Sequence, residues 1–194
     1  MRIGPTLWEP PLEGPLPDWV ATIGVDRPAV LASVSTVGDG DRELVHGVAA
    51  AAESEDVDVI LTAPATVELP ALPANVRVTP FVPHGALLPR VSVVVSHAGN
   101  GLVTRAACAG VPLLLVPGGK DQPEVARGAA AAGIAIVLDR ERVDAASACD
   151  AIRALLGDDG YLERARSIAG RAERYDAPAR AAGAIEAFLA EQAT

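Results

Sequence analysis

Short apolar runs alternate along the chain with longer segments of small and polar residues. The runs at 91–95 and 112–116 are almost continuously apolar rather than alternating. Continuous apolar strands are typical of a parallel sheet that is covered on both faces. Because the segments between the runs are long enough to form helices, the pattern predicts an α/β fold with right-handed crossovers.

The same pattern predicts the positions of the elements. Strands are expected at 29–34, 57–62, 76–79, 92–95, 113–116 and 135–138. Helices are expected near 41–53, 102–109 and 122–132, with a short helical turn at 85–88 and a helical remainder over 143–192, broken near 157–160 and 176–178. The expected fold is a Rossmann-like parallel sheet of about six strands with helices on both faces.

Residues 1–27 differ from the rest because they are rich in proline and lack periodicity. We interpret them as an extended, mostly irregular lead-in, with Trp8 and Trp19 as anchors on the domain surface. Residues 28–194 then form one Rossmann-like domain that ends in helices.

Charge and composition exclude several classes of function. The net charge is −9, and Lys120 is the only lysine, so the basic surface that nucleic-acid binding requires is absent. The apolar run at 128–138 is too short to span a bilayer, and no signal peptide is visible. Cys108 and Cys149 lack metal-ligand spacing, so we expect reduced thiols in a cytoplasmic protein.

Polar turns follow the fourth and fifth predicted strands, at the sheet edge where ligands bind in open parallel sheets. The first turn contains His97, Gly99, Asn100 and Gly101. Its glycines let backbone N–H groups approach an anion, and the first N–H groups of the next helix have no internal partner. The helix dipole also favours negative charge, so phosphate is the natural ligand.

Taken alone, this motif is weak, because it lacks the third glycine of dinucleotide sites and the lysine of a P-loop. A tight strand–helix turn with a solvated histidine explains it equally well. A second motif, Asp56-Val57-Asp58, precedes a strand, so we expect it at the opposite edge as a solvated loop. No Ser-His-Asp or Cys-His arrangement and no metal site is recognisable.

The wider segment resembles the donor-binding region of the glycosyltransferases that include macrolide, antibiotic and plant UDP-sugar enzymes. Residues 15–20 and 28–36 are similar to that family's interdomain linker and to the first strand of its C-terminal domain. The matching motifs are Phe81-Val82-Pro83-His84, His97-x-Gly99-x-Gly101, Ala109-Gly110-Val111-Pro112 and Pro117 with Asp121-Gln122. The resemblance implies the C-terminal half of a GT-B glycosyltransferase of the family 1 type.

The resemblance also implies roles for individual residues. The donor phosphates would be held by His97, by the backbone N–H groups of Gly99, Asn100 and Gly101, and by Thr36. The base and ribose would lie against Phe81, Val82 and His84. The donor sugar would be held by Asp121 and Gln122, since a carboxylate beside the diphosphate would be repelled.

Three positions depart from the family pattern. Leu102 replaces a threonine or serine, Ser35 replaces a glycine, and Arg105 stands where plant members carry an acid for the ribose. Loss of the hydroxyl at 102 removes one contact to phosphate. The absence of this acid disfavours the mode in which plant members bind UDP, and it leaves the identity of the nucleotide undetermined.

The expected function is therefore donor binding within an inverting, metal-independent transferase. It would move a hexose or deoxyhexose from a UDP- or dTDP-sugar to a small natural product, without a cofactor. The acceptor domain and the catalytic base belong to an N-terminal half that these residues do not include, so we expect no catalytic residue here. The alternatives are a separately encoded donor-binding subunit and a non-catalytic nucleotide-binding module.

Overall fold

The computed structural model describes residues 3–10, 14–34 and 42–192. Thr36 and Ser35 lie outside these ranges. Six parallel strands form one sheet in the order β3-β2-β1-β4-β5-β6. Their bounds are β1 Ala29–Ser33, β2 Asp58–Thr62, β3 Val76–Thr79, β4 Val93–Ser96, β5 Leu113–Leu115 and β6 Ala135–Val137.

Helices connect the strands and extend beyond the last of them. Their bounds are α1 Arg42–Ser54, α2 His84–Leu87, α3 Asn100–Ala109, α4 Gln122–Ala131, α5 Ala145–Gly157, α6 Asp159–Ala172 and α7 Ala177–Gln192, with 3-10 turns at Asp18–Ala21 and Leu88–Arg90. Among the helices of the described ranges, none has the length and apolar composition needed to cross a bilayer.

The two faces of the sheet carry separate apolar cores. In β1, Val30 and Ala32 face the core that includes α1 and α5, whereas Ala29 and Leu31 face the core that includes α3 and α4. Successive side chains in a strand point to opposite faces, so a strand covered on both sides must be apolar throughout. This explains the continuous apolar runs of the sequence.

Strand order reverses between β1 and β4. The chain runs outward from β1 through β2 to β3, then returns to place β4 on the other side of β1. Ligands of open α/β sheets bind outside the carboxyl ends of the strands at such a reversal. The first polar turn follows β4 directly, so the topology brings it to this crevice.

The predicted fold class is confirmed, and each predicted strand lies within one residue of the observed one. The predicted start of α3 is wrong: the helix begins at Asn100 rather than Leu102. Asn and Gly are poor helix formers, but in the first turn their N–H groups need no internal partner. Gly99 is therefore the N-cap, and Gly101 lies inside the helix.

The chain's two ends contrast with the packed sheet. Residues 3–10 have no regular secondary structure, and the prediction of Trp8 as an anchor is wrong because its side chain is 75% exposed. Trp19 does pack on the core, with the Arg77 guanidinium 5.1 Å from its ring centroid. In α7, Ile185, Phe188 and Leu189 are exposed apolar residues at helical spacing.

Candidate functional site

The turn from β4 to α3 contains a strained residue. Ala98 has a φ of 65°, in the left-handed region, and it is fully buried. This conformation costs an L-residue about 1–2 kcal/mol. The hydroxyl of Ser96, also fully buried, accepts a hydrogen bond of 3.2 Å from the Ala98 N–H. Packing and this hydrogen bond therefore hold a backbone geometry that fixes where His97 and Gly99 lie.

His97 lies directly over Gly99. A Cβ atom built at position 99 would be 2.8 Å from Nε2 of the imidazole, so a side chain there would force the ring to move from its present position. Nδ1 of His97 is buried and has no hydrogen-bond partner among the residues that the structure describes. Buried polar atoms in proteins are almost always paired, so an unpaired one beside a ligand crevice points to a ligand-binding role.

No side chain of the described residues caps the amino end of α3, where the first N–H groups of a helix have no partner within the helix. Gly99 provides no side-chain cap, and the first turn holds no acidic residue. In the part of the chain that the structure describes, no atom lies within 4 Å of a Cβ atom built at Gly101, so these residues leave the backbone open to close approach. Unpaired N–H groups and the helix dipole make this end a site for an anion.

The turn from β5 to α4 is also strained. Lys120 has a φ of 61°, and the carboxamide oxygen of Gln122 accepts a hydrogen bond of 2.8 Å from the Gly118 N–H. The Gln122 oxygen is thus committed to the turn, which leaves the amide NH₂ group to donate. Asp121 precedes α4 without capping it, and its side chain is exposed. The Arg140 side chain also packs against Gly118.

These two turns lie at the same edge of the sheet. Strands β4 and β5 are parallel neighbours, with Ser96 paired to Leu115 at their carboxyl ends. Ala98 and Lys120 are the non-glycine residues with left-handed φ in the described ranges, one in each turn. Backbone strain concentrates at functional sites, so its coincidence with both predicted turns supports a site here.

The residues proposed for the base lie on the β1 side of this edge. Phe81 is 64% exposed, whereas Val82 is 3% exposed and packs in the core with Leu31 and Ile60. Val82 is therefore a core residue, and its side chain is not available to contact a base directly. His84 begins α2, and its Nε2 lies 3.5 Å from the hydroxyl of Thr62.

His84 is held in its neutral form by its surroundings. Burial lowers the pKa of His84 below its ordinary value, and the nearby Arg105 charge lowers it further. The carboxylate of Glu9 acts in the opposite direction, but it does not reverse the shift. A neutral imidazole can both donate and accept a hydrogen bond near neutral pH.

Glu9 is a site residue that the sequence did not reveal. Both of its carboxylate oxygens accept from the Gly85 N–H, at 3.2 and 3.1 Å, and one pairs with Nη1 of Arg105 at 3.2 Å. Arg105 also donates to the Trp8 carbonyl, 97 positions away in the chain. Such distant pairing leaves no local sequence pattern.

These contacts place the lead-in beside α3, and the two border an open cavity of about 470 Å³. One wall is formed by residues 4–8, and the other by Asn100, Gly101, Thr104 and Arg105. The cavity thus opens on the amino end of α3. Ligand pockets have volumes of roughly 300–1,000 Å³, so this one is large enough for a small molecule.

Other predicted features lie away from this edge. Asp58 begins β2 at the amino edge of the sheet, where its carboxylate accepts hydrogen bonds of 3.0 and 2.6 Å from Arg27. The acidic residues Asp56 and Asp58 therefore take part in structural ion pairs with Arg27 at the amino edge of the sheet.

Cys108 and Cys149 are both free thiols.

Comparison with known families identifies the class of protein. Residues 45–188 match the model of the C-terminal domain of erythromycin biosynthesis protein CIII-like proteins. The chain therefore belongs to the EryCIII-like C-terminal domain family of glycosyltransferases.

Two curated relatives are a 4'-demethylrebeccamycin synthase and a rhamnosyltransferase of PGL/p-HBAD biosynthesis. The first, from Lentzea aerocolonigenes, is 33% identical over 188 residues, which are 96% of this chain and 44% of that protein. The second, from Mycobacterium bovis, is 31% identical over 167 residues, which are 86% of this chain and 36% of that protein. The chain thus spans less than half the length of these relatives.

Solved structures agree with this classification. The calicheamicin glycosyltransferase CalG4 superposes with a TM-score of 0.81 at 28% identity, covering 99% of this chain and 49% of that one. The spinosyn rhamnosyltransferase SpnG, complexed with thymidine diphosphate, superposes with a TM-score of 0.77 at 28% identity, covering 90% and 49%. The sheet is the Rossmann-like C-terminal half of the GT-B glycosyltransferase fold.

Proposed function

We propose that this chain binds the nucleotide-sugar donor of a glycosyltransferase at the carboxyl edge of β4 and β5. The observation that carries the proposal is the pair of strained turns at this edge, one beside an unpaired imidazole nitrogen and the other beside an exposed carboxylate. An anion site and a hydroxyl-binding site that are neighbours suit a molecule with a diphosphate joined to a sugar.

The diphosphate lies at the amino end of α3. His97 donates a hydrogen bond to it, and the N–H groups at Gly99, Asn100 and Gly101 surround its oxygens. Thr36, which follows β1 in the sequence, adds a hydroxyl in this proposal. These dipoles stabilise the charge that grows on the leaving diphosphate, which supports an inverting transfer that uses no metal ion.

The donor sugar lies toward Asp121 and Gln122. The Asp121 carboxylate accepts hydrogen bonds from sugar hydroxyls, and the Gln122 NH₂ group donates one. The base lies near Phe81 and His84, over the buried Val82. The donor is a UDP- or dTDP-linked hexose or deoxyhexose, a choice supported by the thymidine diphosphate bound in the similar SpnG structure.

The complete reaction requires an acceptor site and a general base, and a base must lie within hydrogen-bond reach of the acceptor hydroxyl. We assign both to an N-terminal acceptor-binding half, consistent with relatives about twice as long as this chain. The acceptor is then a small natural product, and no cofactor takes part. By itself the chain binds the donor and transfers nothing.

Calorimetric titration of the chain with UDP, dTDP, GDP and their sugar conjugates tests the proposal. Saturable binding of at least one nucleotide is expected, with circular dichroism as the check that the protein is folded. Absence of heat with every compound at millimolar concentration would refute donor binding. Sugar transfer to an aglycone by the isolated chain would refute the assignment of the base to another half.

A further inference from the structure

We infer that Glu9 and Arg105 are positioning residues that hold the lead-in as one wall of the donor cavity. This inference rests on the proposed function, since it takes the cavity beside α3 to hold part of the nucleotide. Arg105 then sets donor affinity through the lead-in. The segment concerned is residues 3–10, called the lead-in strap below.

The lead-in strap is fixed at both ends. At one end, a Cβ atom at Gly4 would be 2.6 Å from Cβ of Tyr175, so backbone and side chain are in close contact. At the other end, the Glu9 carboxylate sits on the amino end of α2, where a Cβ atom at Gly85 would be 2.5 Å from Oε2. Residues 5–8 cross the cavity between these two points.

Arg105 is the link between the strap and the helix that carries the anion site. Its guanidinium pairs with Glu9 and donates to the carbonyl of Trp8, so it fixes two consecutive strap residues. The side chains of Arg105 and Glu9 are 20% and 25% exposed, so water screens the pair less than it would at an open surface. The strap has no secondary structure of its own, and hence these contacts determine its position.

The consequence for binding follows from preorganisation. A cavity wall that is already in place costs no ordering free energy when a ligand enters, whereas a loose segment must be ordered at the expense of affinity. Truncation of Glu9 or Arg105 releases the strap and leaves His97 and the glycines of the β4–α3 turn in place. Because Arg105 also lines the cavity, Glu9→Ala is the variant that tests the strap alone. Arg105, which stands where plant members carry an acid for the ribose, therefore holds the strap in position.

The chain offers a matched control. Glu55 accepts hydrogen bonds of 2.8 and 2.6 Å from Arg153, and its side chain is 23% exposed, close to the value for Glu9. This pair joins the end of α1 to α5 and contributes no residue to the cavity. Glu55→Ala thus removes a carboxylate of similar burial from an ion pair elsewhere, and Arg153→Ala removes its partner, which at 54% is more exposed than Arg105.

The test combines calorimetry with hydrogen exchange on Glu9→Ala, Arg105→Ala, Arg105→Lys and the two control variants, with UDP and dTDP as ligands. Glu9→Ala and Arg105→Ala are expected to speed amide exchange in residues 3–10 and to weaken nucleotide binding about tenfold. Arg105→Lys, which keeps one charged contact, should fall between them and the wild type. The controls should match the wild type in both measurements.

Two results would overturn the inference while leaving donor binding intact. One is faster exchange in the strap with nucleotide affinity unchanged within twofold, which would mean that the strap is no part of the binding wall. The other is weaker binding with unchanged exchange, which would mean that Arg105 contacts the ligand directly. If the wild-type chain binds neither UDP nor dTDP, the proposed function itself fails, and this inference falls with it.

Discussion

The imidazole of His97 and the missing side chain of Gly99 compete for one volume, because Nε2 lies 2.8 Å from the position of a Cβ atom at residue 99. Gly99 has a φ of −61°, which any residue can adopt, so a side chain at position 99 would conflict with the present position of the His97 ring and not with the backbone conformation. This relationship separates binding effects from folding effects at the proposed phosphate site.

Gly99→Ala should displace the imidazole and weaken nucleoside diphosphate binding by up to about 1.5–3 kcal/mol, the scale of one hydrogen bond to a charged group. Its unfolding free energy should change little. Calorimetry and thermal unfolding measure the two quantities. Gly170→Ala is the control, since its Cβ atom on α6 meets nothing within 4 Å. Wild-type affinity in Gly99→Ala would argue against a role for His97.

His97→Ala should weaken binding of UDP or dTDP by about 1.5–3 kcal/mol, because a hydrogen bond to a charged phosphate is lost. The domain should remain folded, as the ring is only partly buried. The dissociation constant is measured by calorimetry on protein shown to be folded by circular dichroism. An unchanged constant would remove His97 from the phosphate site.

Asp121→Ala should weaken binding of the sugar nucleotide more than binding of the free nucleoside diphosphate. The Asp121 carboxylate is exposed and does not cap α4, so its removal costs the fold little. Parallel titrations with UDP and UDP-glucose, or with dTDP and a dTDP-hexose, measure the difference. Equal losses for both ligands would place Asp121 away from the sugar.

The two left-handed residues should respond differently to glycine. Lys120→Gly relieves strain at an exposed position, so stability should rise by about 0.5–1 kcal/mol. Ala98→Gly relieves similar strain but removes a fully buried methyl group, worth about 0.8 kcal/mol, so its net effect should be close to zero. Denaturant unfolding of both variants measures this. A larger gain from Ala98→Gly would contradict the packing argument.

His84 should make the fold sensitive to acid. Its pKa is lowered in the folded state, so the unfolded chain binds more protons below the ordinary value of 6.5. The contribution of the neutral His84 ring to the free energy of unfolding is fully present above pH 6.5, and it is lost as the pH falls toward the folded-state pKa. Unfolding free energies of wild type and His84→Gln should therefore converge in acid. Parallel curves between pH 8 and pH 5 would show that burial of His84 has no such effect.

The sequence predicts the sheet well because burial on both faces demands continuous apolar strands, as in the runs that became β4 and β5. It also predicts which turns meet, since parallel strands end at one edge. The start of α3 at Asn100 was missed because helix propensity says little about a first turn, where N–H groups need no partner. The burial of Val82 was missed because the role implied by resemblance carries no information about which way a side chain points.

The Glu9–Arg105 contact could not be predicted, because nothing local marks a pairing between residues separated by about half of the chain. In the sequence, Arg105 is notable only because it stands where plant members carry an acid for the ribose. Glu9 is notable only as a charged residue in a proline-rich segment. Only the path of the lead-in across α3 gives either residue a role.

Neighbouring β-strands lie about 4.8 Å apart whatever their sequences, so the pairing of β4 with β5 fixes the distance between the two turns that follow them. The backbone hydrogen bonds of the sheet thus set the distance between the proposed phosphate site and the proposed sugar site, and a few residues of each turn set the chemistry that we propose there. Replacing residues 117–122 with the corresponding residues of a relative that uses a different donor would then change the proposed sugar contacts while the distance between the two turns stays the same.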